Sequence, residues 1–308
     1  MTDFRSLELF YWAAELNSFS RAAERANTTQ PAVSQRIAAL EAELGVKLFD
    51  RNARSIRLTH QGRKLVQYAE RFLMLRAEML SEVGSTVAMR GVLRLGVSET
   101  IAQTWLSRFI ERAHAVYPNI VIDLTVDVSS VMRELLGRGD LDLVFLLGSV
   151  HELTTASCDI CAYPLAVIAS PDLELGDEPL SIARIREFPV ITYPRTTAPY
   201  QRLREALYDP RQPPPRIFGN SSLTTIVQMT LDRIGLSLIP PIAVQKELEA
   251  GRLRIVDSAL RLPDMAFKAA FSLTLSGSLA RPMAELAQEV ARAYDAQAPA
   301  RLVARDRL

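Results

Sequence analysis

The stretch that most constrains this chain runs from Ser18 to Arg57 and centres on Thr28-Thr29-Gln30-Pro31-Ala32-Val33-Ser34-Gln35-Arg36. It reads as two short helices joined by a tight turn. Ala22, Ala23 and Ala26 give the first helix a small-residue face, and Ser20 is available as its cap. Such a face lets two helices cross closely enough for a turn of three or four residues to join them. Asn27-Thr28-Thr29 breaks the pattern with side chains that compete for the backbone, which places the turn there. Thr28 or Thr29 caps the second helix, and Pro31 is tolerated in its first turn because the missing N–H has no intrahelical partner. Val33, Ile37, Leu40 and Leu44 then repeat at helical spacing and point to a core. Gln30, Ser34, Gln35 and Arg36 fall on the opposite face near the helix start. From that position a recognition helix offers its side chains to base edges in a DNA groove.

The flanks extend this reading. Residues 4–16 form an amphipathic helix with Leu7, Phe10, Trp12, Ala13 and Leu16 apolar. Arg51 to Thr59 reads as a short hairpin, or wing, with Asn52-Ala53-Arg54-Ser55 at its tip. Alternation turns Ile56 and Leu58 inward and Arg57 outward, leaving Arg51, Arg54 and Arg57 for backbone phosphates, or else as a solvated basic loop. The net charge of the whole chain is only +1, yet Arg51–Ala69 holds five basic residues and no acidic one. That local stripe matters more than the total, because salt screens remote charges. From Gln61 to about Met89 one long helix is expected, with Leu65, Tyr68, Phe72, Leu75 and Met79 at three- and four-residue steps. The stripe can pack within its own chain or pair with a second copy. Gly84, Ser85 and Gly91 mark the boundary after it.

At these residues a resemblance becomes specific. Phe19-Ser-Arg-Ala-Ala-Glu-Arg-Ala, Thr29-Gln-Pro-Ala-Val-Ser-Gln-Arg-Ile, Leu40-Glu-Ala-Glu-Leu-Gly-Val-Lys-Leu-Phe-Asp-Arg and Leu58-Thr59-His60-Gln61-Gly62 together resemble the DNA-binding domain of LysR-type transcriptional regulators. The likeness covers residues 4 to about 64 closely; the remainder fits the family's length and two-lobed effector domain more loosely. The one departure is a turn, Asn27-Thr28-Thr29, without glycine. The resemblance implies a winged helix-turn-helix, a dimerising linker helix, a periplasmic-binding-protein-like α/β sensor, and a tetramer built as a dimer of dimers. The expected DNA contacts are Thr29, Gln30, Pro31, Ala32, Ser34, Gln35, Arg36, Arg51, Arg54 and Arg57. The expected partners are double-stranded operator DNA, a small-molecule effector, further copies of the chain, and RNA polymerase.

After Gly91 the pattern becomes strand, helix, strand, helix, strand: Val92–Val97, Trp105–Tyr117, Ile120–Val126, Ser129–Leu136 and Leu141–Leu147. That is the signature of a parallel α/β sheet. A strand over Tyr163–Ser170 crosses to a second lobe containing Val190–Tyr193, Tyr200–Tyr208, Arg216–Phe218, Leu223–Asp232 and Leu236–Ile239. Phe267–Leu275 returns, and a last helix runs from Pro282 to about Tyr294. The divisions expected are a DNA-binding domain at 1–60, a linker helix at 61–90 and a sensor at 91–298. Within the sensor, lobe I takes about 91–162 and 268–298, and lobe II about 163–267; a mobile tail follows at 299–308.

Ligands of open α/β sheets bind outside the carboxyl ends of strands, where helix N-termini point unpaired N–H groups. Hydroxyl residues stand at four such junctions: Ser98 and Thr100, Ser129 and Ser130, Thr196 and Thr197, and Ser221 and Ser222 with Thr224. Each can be a plain helix cap, but four on facing lobes suggest a cleft. The resemblance assigns small effectors, often carboxylates or polar metabolites, to positions matching Ser98, Thr100 and Ser129. Tyr193 is a further candidate, and Phe145, Leu147, Gly148 and Ser149 are expected as the apolar floor. Glu99 would repel a carboxylate if it faced the cleft, which leaves a neutral or cationic effector open. Cys158-Asp-Ile-Cys161 supplies half of a structural zinc site with no second pair, so structural cysteines are expected and no metal or cofactor is implied. No Ser-His-Asp order, HExxH, GxGxxG or P-loop appears, which disfavours a ligand-modifying enzyme. A solute-binding protein is disfavoured by the absent signal peptide and the basic wing; a cytoplasmic location is expected.

Overall fold

A computed structural model of the chain describes residues 3–26, 28–50, 57–83, 91–148, 150, 155–176, 179–272, 279–299 and 302. The chain divides into two compact units, residues 1–89 with 273–279 and residues 90–272 with 280–308.

In the N-terminal unit, α1 (Phe4–Glu15) begins at Asp3, whose carboxylate accepts from the Ser6 N–H at 2.6 Å. The next helix, α2 (Phe19–Arg25), is capped by Ser18 and not by Ser20: Asn17, at φ 48°, turns the chain one residue pair earlier than expected. Thr29 caps α3 (Gln30–Leu44), with Pro31 in its first turn and Gly45 ending it at φ 67°, where a side chain would be strained. Val33, Ile37 and Leu40 enter the core, but Leu44 is 42% exposed. The fourth inward position belongs instead to Glu41, whose Oε1 accepts from the N–H groups of Leu48 (2.8 Å) and Phe49 (3.2 Å). Its Oε2 pairs with Lys47 at 3.0 Å. These bonds tie the end of α3 to an antiparallel pair, β1 (Phe49–Asp50) and β2 (Arg57–Leu58), the base of the expected wing. The tip, with Arg51 and Arg54, lies outside the described residues. Phe49 packs between Phe10, tilted at 57°, and Phe19, edge-to-face at 89°, with ring centroids 5.5 and 5.3 Å away.

The long helix α4 spans His60–Val83, and its expected continuation to Met89 lies outside the described residues. Ala69 and Leu73 are buried, and Leu65 packs on the unit's own core. Tyr68, Phe72, Leu75 and Met79 are each at least half exposed, at 58, 51, 62 and 50%.

In the second unit, lobe I is a five-stranded sheet in the order β4-β3-β5-β12-β6. These strands are β3 (Gly91–Val97), β4 (Ile120–Val126), β5 (Leu143–Leu147), β6 (Thr155–Tyr163) and β12 (Met265–Ser272). β3 runs parallel to β4 and β5, but β12 runs antiparallel to both β5 and β6, so the sheet is mixed and not parallel throughout. The helices α5 (Glu99–Ala102), α6 (Leu106–Val116), α7 (Ser129–Gly137) and α12 (Ala280–Gln297) belong to this lobe.

Lobe II is a second mixed sheet, in the order β11-β7-β10-β8-β9. It is built from β7 (Ala166–Ala169), β8 (Val190–Thr192), β9 (Ile217–Gly219), β10 (Leu236–Ile239) and β11 (Arg254–Val256), with α8 (Ile182–Arg186), α9 (Ala198–Ala206), α10 (Leu223–Leu231) and α11 (Gln245–Glu249). The strand expected over Tyr163–Ser170 is found as β7, shortened to Ala166–Ala169 and placed in the second lobe, while Tyr163 ends β6 of the first. Pro164 lies between them and has no N–H to contribute to a ladder. In the segment expected as a mobile tail, Pro299 is exposed and Leu302 is buried.

Candidate DNA-reading face and ligand cleft

The start of α3 presents Gln30, Pro31, Gln35 and Arg36 to solvent, with Thr29 at the cap and Ala32 and Ser34 half-buried. The capping Thr29 hydroxyl accepts from the Ala32 N–H at 3.4 Å, which fixes where the polar face begins. The Gln30 amide donates to the Ser34 hydroxyl at 3.0 Å, so these two side chains form one hydrogen-bonding unit. Arg36 reaches Asp3 at 3.0 Å. The Ser6 N–H and hydroxyl, with Arg36, hold the Asp3 carboxyl below its ordinary range. Arg57 is exposed on β2, as the alternation requires.

The second candidate is a cavity of about 850 Å³ within the sensor unit, bounded by both lobes and by the returning segment Pro263–Phe267. Ser98, Glu99, Thr100, Ser129, Ser130 and Gly148 line the lobe I side. Tyr193, Thr196, Ser221 and Ser222 line the lobe II side. The Ser129 hydroxyl accepts from the Leu147 N–H at 3.0 Å, which anchors the start of α7 to the end of β5. Thr100 and Tyr193 share a buried hydrogen bond of 2.8 Å between the two lobes. Burial pushes the Tyr193 hydroxyl well above the usual range for a phenol, so it stays protonated. The Ser98 hydroxyl is buried and has no hydrogen-bond partner among the described residues.

Two expected residues are placed elsewhere. Phe145 is fully buried against Trp105 and Phe109, with ring centroids 5.5 and 5.3 Å away, and does not form the floor. Along β5 it points to the layer of α6, and Leu147, two residues on, reaches the cavity. Thr224 does not line the cavity; its hydroxyl accepts from the Gln103 amide at 3.4 Å. Ser149 lies outside the described residues.

Sequence reading missed the charged lining. Arg133 stands one turn along α7 from Ser129, donates to the Leu147 carbonyl at 2.5 Å and lines the cavity. Burial lowers its pKa from the ordinary arginine value, and the side chain is still a cation at neutral pH. A Cβ at Gly148, where φ is +83°, would stand 3.2 Å from this guanidinium, so the glycine leaves room for it. Arg202 of α9, Asp127 and Asp264 complete the charged set. The i, i+4 spacing of Ser129 and Arg133 was a signal that could have found the first of these.

Cys158 and Cys161 lie in β6, half-buried and buried. Burial pushes the Cys161 thiol up to about 12, which disfavours the thiolate that metal binding or exchange requires. Among the described residues no group of three His, Cys, Asp or Glu could hold a metal ion. No helix among them is long and apolar enough to cross a membrane.

A helix-turn-helix with the base of a wing, carried by the same chain as a two-lobed α/β unit around a ligand-sized cleft, defines a class: DNA-binding proteins that answer to a small molecule. The comparisons with known proteins agree. Residues 4–63 match the family model described as bacterial regulatory helix-turn-helix protein, lysR family, and residues 88–292 match the LysR substrate binding domain. The chain belongs to the LysR family and is a DNA-binding transcriptional regulator with an effector-binding domain. It is 29% identical over 270 residues to the RuBisCO operon transcriptional regulator of Allochromatium vinosum, covering 82% of this chain and 84% of that one. It is 25% identical over 248 residues to the transcriptional regulator GltR of Bacillus subtilis strain 168, covering 80% and 83%. Among solved structures, a full-length single-residue variant of OxyR from Pseudomonas aeruginosa aligns with a TM-score of 0.65 at 22% identity, over 100% of this chain and 99% of that one. Full-length LysG of Corynebacterium glutamicum, with bound effector Arg, aligns with a TM-score of 0.61 at 19% identity, over 95% and 99%.

Proposed function

We propose that Gln30, Ser34, Gln35 and Arg36 read base edges, with Thr29, Pro31 and Ala32 against the groove and the wing arginines Arg51, Arg54 and Arg57 on phosphates. A second copy joins through Tyr68, Phe72, Leu75 and Met79, giving a dimer or a dimer of dimers that spans two half-sites about one DNA turn or a multiple apart. The effector binds in the inter-lobe cleft against Ser98, Thr100, Ser129, Ser130, Tyr193, Thr196, Ser221 and Ser222, with Arg133 and Arg202 available to an acidic group. The protein acts in the cytoplasm, and RNA polymerase is its further partner at promoters.

The observation that carries this reading is the cavity of about 850 Å³, with hydroxyl and guanidinium groups on facing walls. Ligand pockets have this size, and a wall this rich in hydroxyl and charged groups suits a polar ligand. A ligand bound there moves an equilibrium by its differential affinity for two lobe arrangements. The test is a thermal-shift screen of small metabolites, followed by operator binding with and without each hit. A hit should change operator affinity, and the pair Thr100→Val, Ser129→Val should abolish that response while leaving affinity without ligand unchanged. A double variant that still binds the hit as tightly as the wild type would place the effector site elsewhere.

A further inference from the structure

Two of the helix N-termini at the cleft, those of α7 and α10, are treated differently by the chain. At α10 the N–H groups are taken by the protein itself. Asn220 Oδ1 accepts from the Ser222 N–H at 2.8 Å, and the Ser222 hydroxyl accepts from the Thr225 N–H at 3.2 Å. Between them, Glu99 of lobe I reaches across and accepts from the Leu223 N–H at 3.3 Å. At α7 the cap is Val128, with no side-chain bond to the helix, and the Ser129 hydroxyl is engaged with Leu147. A carboxylate is favoured at a helix N-terminus because the aligned peptide dipoles leave partial positive charge there.

We propose that Glu99 is a specificity-determining residue of the cleft: its carboxylate is the built-in anion of α10 and excludes acidic ligand groups from that end. The inference rests on the reading of the cleft as the effector site. Glu99 resolves the difficulty it posed in the sequence, since it is spent on lobe II and does not confront the α7 wall. The neighbouring residues of the same short helix hold it there. Thr100 bonds Tyr193 at 2.8 Å and Gln103, the C-cap of α5, bonds Thr224 at 3.4 Å, so α5 and its cap meet lobe II at three points. Asp264 lies on the cavity wall, and Asp127 stands just before α7, its Oδ1 accepting from the Val128 N–H at 2.6 Å. A ligand therefore sets a neutral or cationic group against α10, and an acidic group toward Arg133.

The test reads the Leu223 amide itself, in the full-length protein, by hydrogen exchange with residue-resolved mass spectrometry. Glu99→Ala should speed exchange at Leu223 about tenfold, the scale of one hydrogen bond to a charged acceptor. Sulfate, substituted for chloride at constant ionic strength, should restore that protection in the variant and leave the wild type unchanged. Should Glu99→Ala not fold, Glu99→Gln keeps an accepting oxygen without the charge and should show a smaller loss with the same sulfate rescue. Equal exchange in variant and wild type overturns the proposal. So does a loss of protection that sulfate does not reverse. No operator DNA or effector enters this measurement, so its failure is separate from a failure of the regulatory reading.

Discussion

Glu41 should decide whether the wing stays docked on α3. Its side chain is 1% exposed, and it accepts from the Leu48 and Phe49 N–H groups, which belong to buried residues. Glu41→Ala strands both donors, at about 1–3 kcal/mol for each buried unsatisfied group. Partial relaxation of the two-residue strand brings the expected loss to about 3 kcal/mol. Glu41→Gln keeps an accepting oxygen and loses the pair with Lys47, which is 72% exposed and so contributes little. That variant should cost about 1 kcal/mol. Trp12 and Trp105 are the two tryptophans of the chain, so a Trp105→Phe background leaves Trp12 as a fluorescence reporter of the N-terminal unit in denaturant. Burial opposes ionisation of Glu41, but the Leu48 N–H, Lys47 and the Phe49 N–H outweigh it and hold its pKa below the ordinary 4.5. Its contribution is thus present above that pH and lost as pH falls through the lower folded-state value, a dependence absent in the Gln variant. A Gln variant as damaged as the Ala variant, or an Ala variant within about 0.5 kcal/mol of the wild type, would refute the reasoning.

Other outcomes follow from the same geometry. Gln30→Ala should relax operator preference at one base position by about 1–3 kcal/mol, whereas Arg57→Ala should weaken binding to all sequences and flatten its salt dependence; competition titrations against mismatched operators separate the two. Phe72→Glu puts a charge on the exposed stripe of α4 and should yield monomers in light scattering, with loss of tight two-site binding; a stable dimer would remove this helix from the interface. Burial lifts Asp295 to about 6, against the Tyr163 hydroxyl that donates to it at 3.0 Å. Its charge therefore costs stability in full above that pH and nothing below the ordinary 3.8. Asp295→Asn should raise the melting temperature relative to the wild type more at pH 8 than at pH 5, and a difference independent of pH would show the carboxyl to be freely solvated.

What the sequence determined by itself is whatever rests on neighbours within one or two turns. A cap at Thr28 or Thr29, the Pro31 position, the inward Val33, Ile37 and Leu40, and the apolar seam on α4 are set by backbone hydrogen-bond needs and by the 3.6-residue period, and both act locally. Most of the strands and helices after Gly91 are readable for the same reason, but β6, α8, α11 and β11 are not. Tertiary structure decided which side of each element faces what. Glu41 looks like a surface residue until the Leu48 and Phe49 amides arrive from seven and eight residues away. Phe145 and Leu147 lie on one face of a strand by parity, yet α6 covers the first and the cleft opens beside the second. The run Thr155–Tyr163 carries only two β-branched residues, Thr155 and Ile160, and becomes β6 because β12 returns antiparallel beside it. Glu99 and Leu223 are 124 residues apart, so no local rule could put a carboxylate from one lobe on a helix terminus of the other. Periodicity fixes the face a residue shares with its neighbours in sequence, and only packing fixes what that face meets.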